Sequence, residues 1–181
     1  GFMSGMQLAA TMIDAGQIEY ALIVDGEGSR YPQERTIERL NATNPTREDI
    51  TENFATFTLG SGGAAMVLGK ASAHPEGHRF RGGVSRAATE HNQLCVGDLE
   101  GMRTDSRALL EGAVDLAIAT WSDAGEHFDW SDLDLYVIHQ VSKVHTEAIA
   151  KALRIDPKRV PQTFPSRGNI GPASIPFTLA L

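Results

Sequence analysis

Cysteine is almost absent from this sequence, as are long apolar runs and any excess of positive charge. A single cysteine, Cys95, among 181 residues excludes an internal disulfide framework and is typical of a reducing compartment, so we predict a cytoplasmic protein. No stretch approaches the roughly 20 consecutive apolar residues of a membrane helix. The formal net charge of −7 repels phosphate backbones. Neither membrane insertion nor nucleic acid binding is therefore expected.

The residues that are present predict a layered α/β fold. Hydrophobic residues make up 41% of the chain, which is enough for the core of one large domain or two small ones. Helical stretches alternate with short apolar strands, which indicates largely parallel sheets. The segment "SAHPEGHR" has the composition of a surface connection. The predicted helices lie at 1–16, within 29–53, and at 104–125 (capped by Thr104 or Asp105), 143–155 and 172–181. The predicted strands lie at 20–27, 54–70, 81–89, 134–139 and 159–164.

Both ends of the chain are apolar. The first helix, "GFMSGMQLAATMIDAG", carries small and apolar residues all around, which is typical of a helix buried on every side. The last, "PASIPFTLAL", stops while it is still apolar. We expect the chain to be a segment of a longer protein, with a boundary inside the core at each end.

Two polar residues follow predicted strands at positions where α/β proteins bind ligands. His139 ends the strand "DLYVIH", and Asn169 follows the strand "RVPQTF" within "RGNIGPAS". Ligands in open α/β sheets bind beyond the carboxyl ends of the strands, so both side chains are candidates for one crevice. Gly168 and Gly171 flank Asn169 and allow close approach of a backbone or a ligand.

These motifs resemble a known family. "IHQVS" followed by "GNIGPASIP" resembles the His-Gln-x-Asn and Gly-Asn-x-x-x-Ala-Ser pair of the β-ketoacyl-acyl-carrier-protein synthase III group, a branch of the thiolase superfamily. "LGSGGAAMVLGK" resembles the glycine-rich strand of that group. Ser142, where the synthases usually have Asn, and Ser61, where they usually have Asp, are closer to the branch that joins two fatty-acyl thioesters head to head in olefin biosynthesis.

The resemblance implies a thiolase-like layered α/β fold, with residues 1–73 ending a first repeat and residues 74–181 forming an incomplete second one. It implies an acyltransferase for Claisen-type condensation of acyl thioesters in fatty acid and lipid metabolism. The nucleophilic cysteine of the family would stand just before Gly1. His139 and Asn169 would donate hydrogen bonds to the enolate oxygen, and Ser142, Gly168 and Gly171 would contact the substrate.

The same resemblance implies no cofactor, thioesters of coenzyme A or acyl carrier protein as substrates, and a homodimer. The segment 143–167, with six basic and two acidic residues, could meet phosphates or an acidic carrier protein. Two alternatives stay open. One is a module that binds acyl thioesters or a sister subunit without catalysis, and the other is an acyl-thioester hydrolase that uses His139 as general base.

Three further motifs are not expected to form sites. Cys95 lies in a polar stretch without a basic neighbour, so we predict an inert thiol rather than a nucleophile. The pairs His74–His78 and His91–Cys95 have spacings found in zinc sites, but they fall in separate loops with one thiolate between them, so no metal site is predicted. "GSGGAA" precedes a strand instead of the helix that a dinucleotide site requires.

The apolar ends lead to a first testable expectation. Residues 1–181 produced alone should not form a soluble, independent monomer, because each exposed methylene forgoes about 0.8 kcal/mol and a domain is stable by only about 5–15 kcal/mol. Sedimentation and thermal melting test this. A monomer with a sharp cooperative transition would contradict it.

Overall fold

Seven helices and four strands make up the protein, in a computed structural model that describes all residues from 1 to 181. The helices are α1 (Phe2–Asp14), α2 (Arg30–Ala42), α3 (Arg47–Thr58), α4 (Ser106–Gly125), α5 (Lys143–Ala152), α6 (Phe164–Arg167) and α7 (Ser174–Leu179). The strands are β1 (Tyr20–Glu27), β2 (Gly62–Gly69), β3 (Cys95–Asp98) and β4 (Gly101–Thr104). Short 3-10 turns lie at Thr89–His91, Pro157–Arg159 and Gly171–Ala173. None of the helices combines the length and apolar character needed to cross a membrane.

Helix α1 packs on an antiparallel ribbon of β1 and β2. Phe2, Met6, Ala9 and Ile13 recur at helical spacing and are its buried residues. Leu8 on the opposite face is 63% exposed, so the chain itself covers only one side of this apolar helix. The residues of β1 alternate between half-buried and exposed, because successive side chains of a strand point to opposite faces.

The predicted parallel, fully buried character of the first strand is also wrong. β1 pairs antiparallel with β2, and β3 pairs antiparallel with β4. The β1–β2 connection contains α2 and α3, and it returns the chain in the opposite direction along β1. Residues 54–58, predicted as strand, form the end of α3, which begins with a capping box between Thr46 and Asp49.

The second half packs α4 and α5 around one apolar cluster. Its buried members are Tyr136, Ala150, Ile155 and Val160. The side chain of Asp105 caps α4 by accepting a hydrogen bond from the Ala108 N–H at 3.0 Å, and α4 ends at Gly125. Both ends of this helix therefore agree with the sequence-based prediction.

Three predicted strands do not form ladders. Residues 81–89 are irregular up to the 3-10 turn at Thr89, and residues 134–139 and 159–164 contain no paired strand. One backbone hydrogen bond, from the Tyr136 N–H to the Arg159 carbonyl at 2.8 Å, joins the last two segments. A strand requires a ladder of such bonds, and no other strand of this chain pairs with them.

Gly60 should be irreplaceable for the fold around α6. A Cβ at this position would lie 1.8 Å from the Arg167 carbonyl oxygen and 2.7 Å from Cγ2 of Ile170. In the complete natural protein, Gly60→Ala should therefore lower the free energy of unfolding by about 2–3 kcal/mol. Gly28→Ala is the matched control, because a Cβ there meets no atom within 4 Å, and it should change stability by less than about 0.5 kcal/mol. Equal urea-unfolding midpoints for the two variants would contradict the predicted clash.

Candidate functional site

Residues from distant parts of the chain meet at Gly171. The Gly171 N–H donates to Oδ1 of Asn169 at 3.1 Å, and the Gly171 backbone interacts with the imidazole of His139. A Cβ on Gly171 would lie 3.0 Å from Cδ of Glu27, and the φ of this residue is +53°. The structure thus brings the predicted pair, His139 and Asn169, to one glycine. It adds a carboxylate that the sequence analysis did not include.

Asn169 is held by its backbone and by one side of its amide. Its N–H donates to the Thr58 carbonyl at 2.9 Å, and its carbonyl accepts from the Gly60 N–H at 2.8 Å. Since Oδ1 is occupied by Gly171, the side-chain orientation is set. The amide NH₂ makes no hydrogen bond within the chain and is left as a donor for another group.

His139 is anchored through the residue that follows it. Gln140 is 1% exposed, and its Oε1 accepts from the N–H groups of Thr163 at 2.9 Å and Phe164 at 3.1 Å. Its Nε2 donates to the Pro161 carbonyl at 2.8 Å. A buried, fully bonded side chain next to His139 limits where the histidine backbone can move.

Burial lowers the pKa of His139, and the charge of His145 lowers it further, whereas interaction with the Gly171 backbone raises it. His139 nevertheless remains exposed to solvent as a residue. The downward direction means that the ring is neutral at pH 7. A neutral imidazole carries one N–H donor and one acceptor nitrogen.

Ser142 and His145 form a hydrogen-bonded pair at the start of α5. Oγ of Ser142 lies 2.9 Å from Nδ1 of His145 and accepts from the His145 backbone N–H at 3.2 Å. Burial lowers the pKa of His145, and its Nε2 is buried without a hydrogen-bond partner. Ser142, predicted to contact substrate, thus also caps α5.

Two carboxylates lie on the half-buried side of β1. Burial raises the pKa of Glu27, and the charge of Asp25 raises it further. One oxygen of Asp25, Oδ2, is buried without a partner. The start of α1 lies near this region, since a Cβ on Gly1 would be 3.2 Å from Cβ of Pro172, the neighbour of Gly171. The positive end of the α1 dipole is therefore close to the site.

The other glycine predicted to contact substrate is part of the packing. Gly168 has a φ of +70°, and a Cβ there would lie 2.8 Å from the Thr58 carbonyl oxygen. This close approach lets Asn169 reach the 58–60 segment. Gly171, in contrast, touches both the histidine and the carboxylate.

The remaining candidates lie apart from Gly171. Cys95 is exposed at the start of β3, not in a loop, and its Sγ accepts a hydrogen bond from Thr104 at 3.5 Å. His74 bonds to the Tyr20 hydroxyl at 3.0 Å and to Glu76 at 3.2 Å. The chain has no cluster of three or more His, Cys, Asp or Glu side chains suited to a metal. "GSGGAA" leads into β2, as predicted.

The basic segment 143–167 is partly neutralised. Lys143 pairs with Glu147 at 3.8 Å, and Arg159 pairs with Asp132 at 3.3 Å. The Arg167 guanidinium lies 5.6 Å from the centre of the Phe177 ring. Lys151, Arg154 and Lys158 form no ion pair and are the free cations of the segment.

A groove of about 660 Å³ lies elsewhere, between α4 and the 127–136 segment. Its walls include the aromatic residues Trp121, Trp130 and Tyr136. None of the residues around Gly171 lines it. Because it lacks their convergent donors and carboxylates, we place the candidate site at Gly171.

Sequence reasoning missed Glu27, Gln140 and His145. Gln140 belongs to the His-Gln motif, which was the available signal for it. His145 follows Ser142 by one helical turn, a spacing at which side chains meet. No motif in the sequence around Glu27 indicates that this residue lies next to the turn at Gly171.

Comparison with known proteins shows what this chain is similar to. Residues 124–181 match the family described as 3-oxoacyl-[acyl-carrier-protein (ACP)] synthase III C terminal. The chain is 45% identical over 181 residues to the acyl-CoA:acyl-CoA alkyltransferase of Xanthomonas campestris pv. campestris, covering 99% of this chain and 54% of that protein. It is 33% identical over 199 residues to the protein of the same name from Shewanella oneidensis, covering 100% of this chain and 56% of that protein.

Solved structures show the same fold. The chain superimposes on Xanthomonas campestris OleA with bound lauric acid and lauroyl-CoA at a TM-score of 0.95 and 44% identity, covering 99% of this chain and 54% of that one. The cerulenin-bound form of OleA gives the same TM-score and identity, with 99% of this chain and 53% of that one covered. The fold is therefore thiolase-like α/β. The chain spans about half the length of the curated relatives it matches.

Acidification should destabilise the protein through its two site histidines. The pKa values of His139 and His145 lie below the usual 6.5 in the folded state, so the unfolded chain binds protons first as the pH falls. Their contribution to stability is complete above about pH 7 and is lost as the pH falls through 6.5 toward the lowered folded values.

Urea unfolding of the complete natural protein and of its His139→Gln and His145→Gln variants, at about pH 7.5 and about pH 5.5, measures this effect. The variants should lose less stability between the two pH values than the wild type does. Equal losses would show that neither imidazole titrates abnormally.

Proposed function

Residues 124–181 match the C-terminal family of 3-oxoacyl-[acyl-carrier-protein] synthase III, and from that premise we propose that the chain carries part of the active site of a Claisen-condensing acyltransferase. The arrangement that supports this most is at Gly171, whose N–H bonds to the Asn169 amide oxygen and leaves the amide NH₂ unpaired, and whose backbone interacts with the imidazole of His139. Two such donors suit an enolate oxygen. Similarity to the two alkyltransferases favours two acyl-coenzyme A molecules as substrates.

The proposed reaction has two stages. A thiolate attacks the carbonyl carbon of the first acyl thioester, and the thiol of that substrate leaves as an S-acyl enzyme forms. A base then removes the α-proton of the second thioester. The resulting carbanion attacks the acyl-enzyme carbonyl, which forms a carbon–carbon bond and returns the thiolate. His139 and Asn169 would stabilise the enolate oxygen of the second thioester, each by an amount typical of one oxyanion donor, about 3 kcal/mol.

The thiolate would be supplied at the start of α1. A residue preceding Gly1 would stand at the positive end of that helix, which lowers the pKa of a thiol. Gly1 contacts Pro172, so this position is adjacent to the Gly171 turn. Cys95, whose sulfur bonds to Thr104, has no such surroundings.

The proposal includes the finer properties of the enzyme. Acyl-coenzyme A or acyl carrier protein would deliver the substrates, no cofactor would be required, and Ser142, Gly168 and Gly171 would line the path of the thioester. We place the protein in the cytoplasm as a homodimer of fatty acid and lipid metabolism. Residues 1–73 and 74–181 would belong to successive thiolase-like repeats, and the family match at 124–181 lies within the second.

His139→Ala and Asn169→Ala, each made in the complete natural protein, should slow condensation of lauroyl-CoA by about 10²-fold or more, as loss of one oxyanion donor does. Transfer of the first acyl group should be less affected, because the enolate forms only in the second stage. Release of coenzyme A in a single turnover reports the first stage, and mass spectrometry of the β-keto product reports the second.

His78→Ala and Asn92→Ala are matched controls, because both residues are exposed and make no side-chain hydrogen bonds. Normal condensation by the His139 and Asn169 variants would leave these residues with a structural role. Wild-type protein that releases only free fatty acid would instead be a hydrolase, and one that binds without turnover would be a binding module.

A further inference from the structure

The short helix α6, which precedes Asn169, has no cap of its own. The side chain of its N-cap residue, Thr163, makes no capping bond, and its hydroxyl is instead hydrogen-bonded to that of Thr178 at 2.8 Å. The first N–H groups of a helix have no partner within the helix. The N–H groups of Thr163 and Phe164 therefore need an acceptor from another part of the chain. A helix of 4 residues is also too short to be stable on its own.

Gln140 supplies that acceptor. Its Oε1 accepts from the Thr163 N–H at 2.9 Å and from the Phe164 N–H at 3.1 Å, while its Nε2 donates to the Pro161 carbonyl at 2.8 Å. A flipped amide would set its NH₂ against two N–H donors and its oxygen against a carbonyl, so only one orientation fits. Because Gln140 is 1% exposed, water does not replace these bonds, and losing them leaves buried groups unpaired.

The same residue is linked to both sides of the turn that contains Asn169. On one side, α6 leads through Gly168 into Asn169. On the other, the Gln140 N–H donates to Oγ of Ser174, the first residue of α7, at 3.4 Å. Gln140 also directly follows His139 in the chain. One buried residue therefore connects the backbone of His139 to the segment that carries Asn169.

We propose that Gln140 is a positioning residue for condensation: it caps α6 from outside that helix and thereby sets the distance between the Asn169 amide and the His139 imidazole. This inference rests on the proposed function. Donors stabilise an oxyanion when they already stand at hydrogen-bond distance from it, and a misplacement of about 1 Å can slow a reaction by about 10²-fold. The amide oxygen and nitrogen of Gln140 are both bonded to backbone groups, so Gln140 acts through the residues that it holds.

The test uses variants of the complete natural protein. Gln140→Met keeps the length of the side chain but removes its donor and its acceptor, and it should slow condensation of lauroyl-CoA by about tenfold or more, while transfer of the first acyl group stays near the wild-type rate. Gln140→Glu keeps an acceptor for the two N–H groups of α6 and loses only the donor to Pro161, so it should restore much of the rate. Gln162→Met is the matched control, because Gln162 is exposed, and it should condense as the wild type does.

A double-mutant cycle shows whether Gln140 acts through Asn169. In the Asn169→Ala background the amide that Gln140 positions is gone, so Gln140→Met should slow condensation by less than about twofold further. A general loss of structure would instead slow condensation by the same factor in both backgrounds, and it would slow the first stage as well. Gln140→Asn, which keeps the amide but withdraws it by one methylene, gives the same comparison if Gln140→Met does not fold.

Condensation at the wild-type rate in both Gln140→Met and Gln140→Asn would overturn the positioning role and leave the proposed function intact. Equal losses in the two backgrounds, or a Gln140→Glu variant no faster than Gln140→Met, would do the same. Wild-type protein that forms no carbon–carbon bond would instead overturn the proposed function, and this inference with it.

Discussion

Two backbone hydrogen bonds between Asn169 and the 58–60 segment are the constraint on which the candidate site depends. They join the end of α3 and the start of β2 to the turn before α7, and they form a single parallel bridge between Leu59 and Asn169. The bridge is possible only because Gly60 and Gly168 lack Cβ atoms at the contact. Through this bridge, the region that begins with β1 is held against the region that carries the histidine motif.

The site at Gly171 is polar but carries little net positive charge of its own. Its two imidazoles have lowered pKa values and are neutral at pH 7, and Glu27 has a raised pKa. Burial is the first cause in all three, since removal from water penalises the charged form of each group. Neutral donors fixed by packing suit a reaction in which charge develops on an oxygen, because they need little rearrangement as the charge appears.

Glycine at position 171 allows three functional groups to converge. Asn169 bonds to its N–H, His139 interacts with its backbone, and the Glu27 carboxyl occupies the space that a side chain would take. A larger residue would have to displace the carboxyl and would be strained at a φ of +53°. The same arrangement places Glu27 close to the turn that orients Asn169, so packing of β1 and orientation of the amide are coupled.

The amino-acid sequence by itself determined the elements whose signals are local: α1 and β1, α4 with its Asp105 cap and its end at Gly125, and α5 after Ser142. It also singled out His139 and Asn169, because each stands in a recognisable motif. Only the tertiary structure decided that β1 and β2 run antiparallel, that residues 134–139 and 159–164 form no ladder, and that Glu27 and His145 lie at the site. The physical reason is that a cap or a helical period involves residues within a few positions of one another, whereas strand pairing and the convergence at Gly171 depend on how segments distant in the chain pack together.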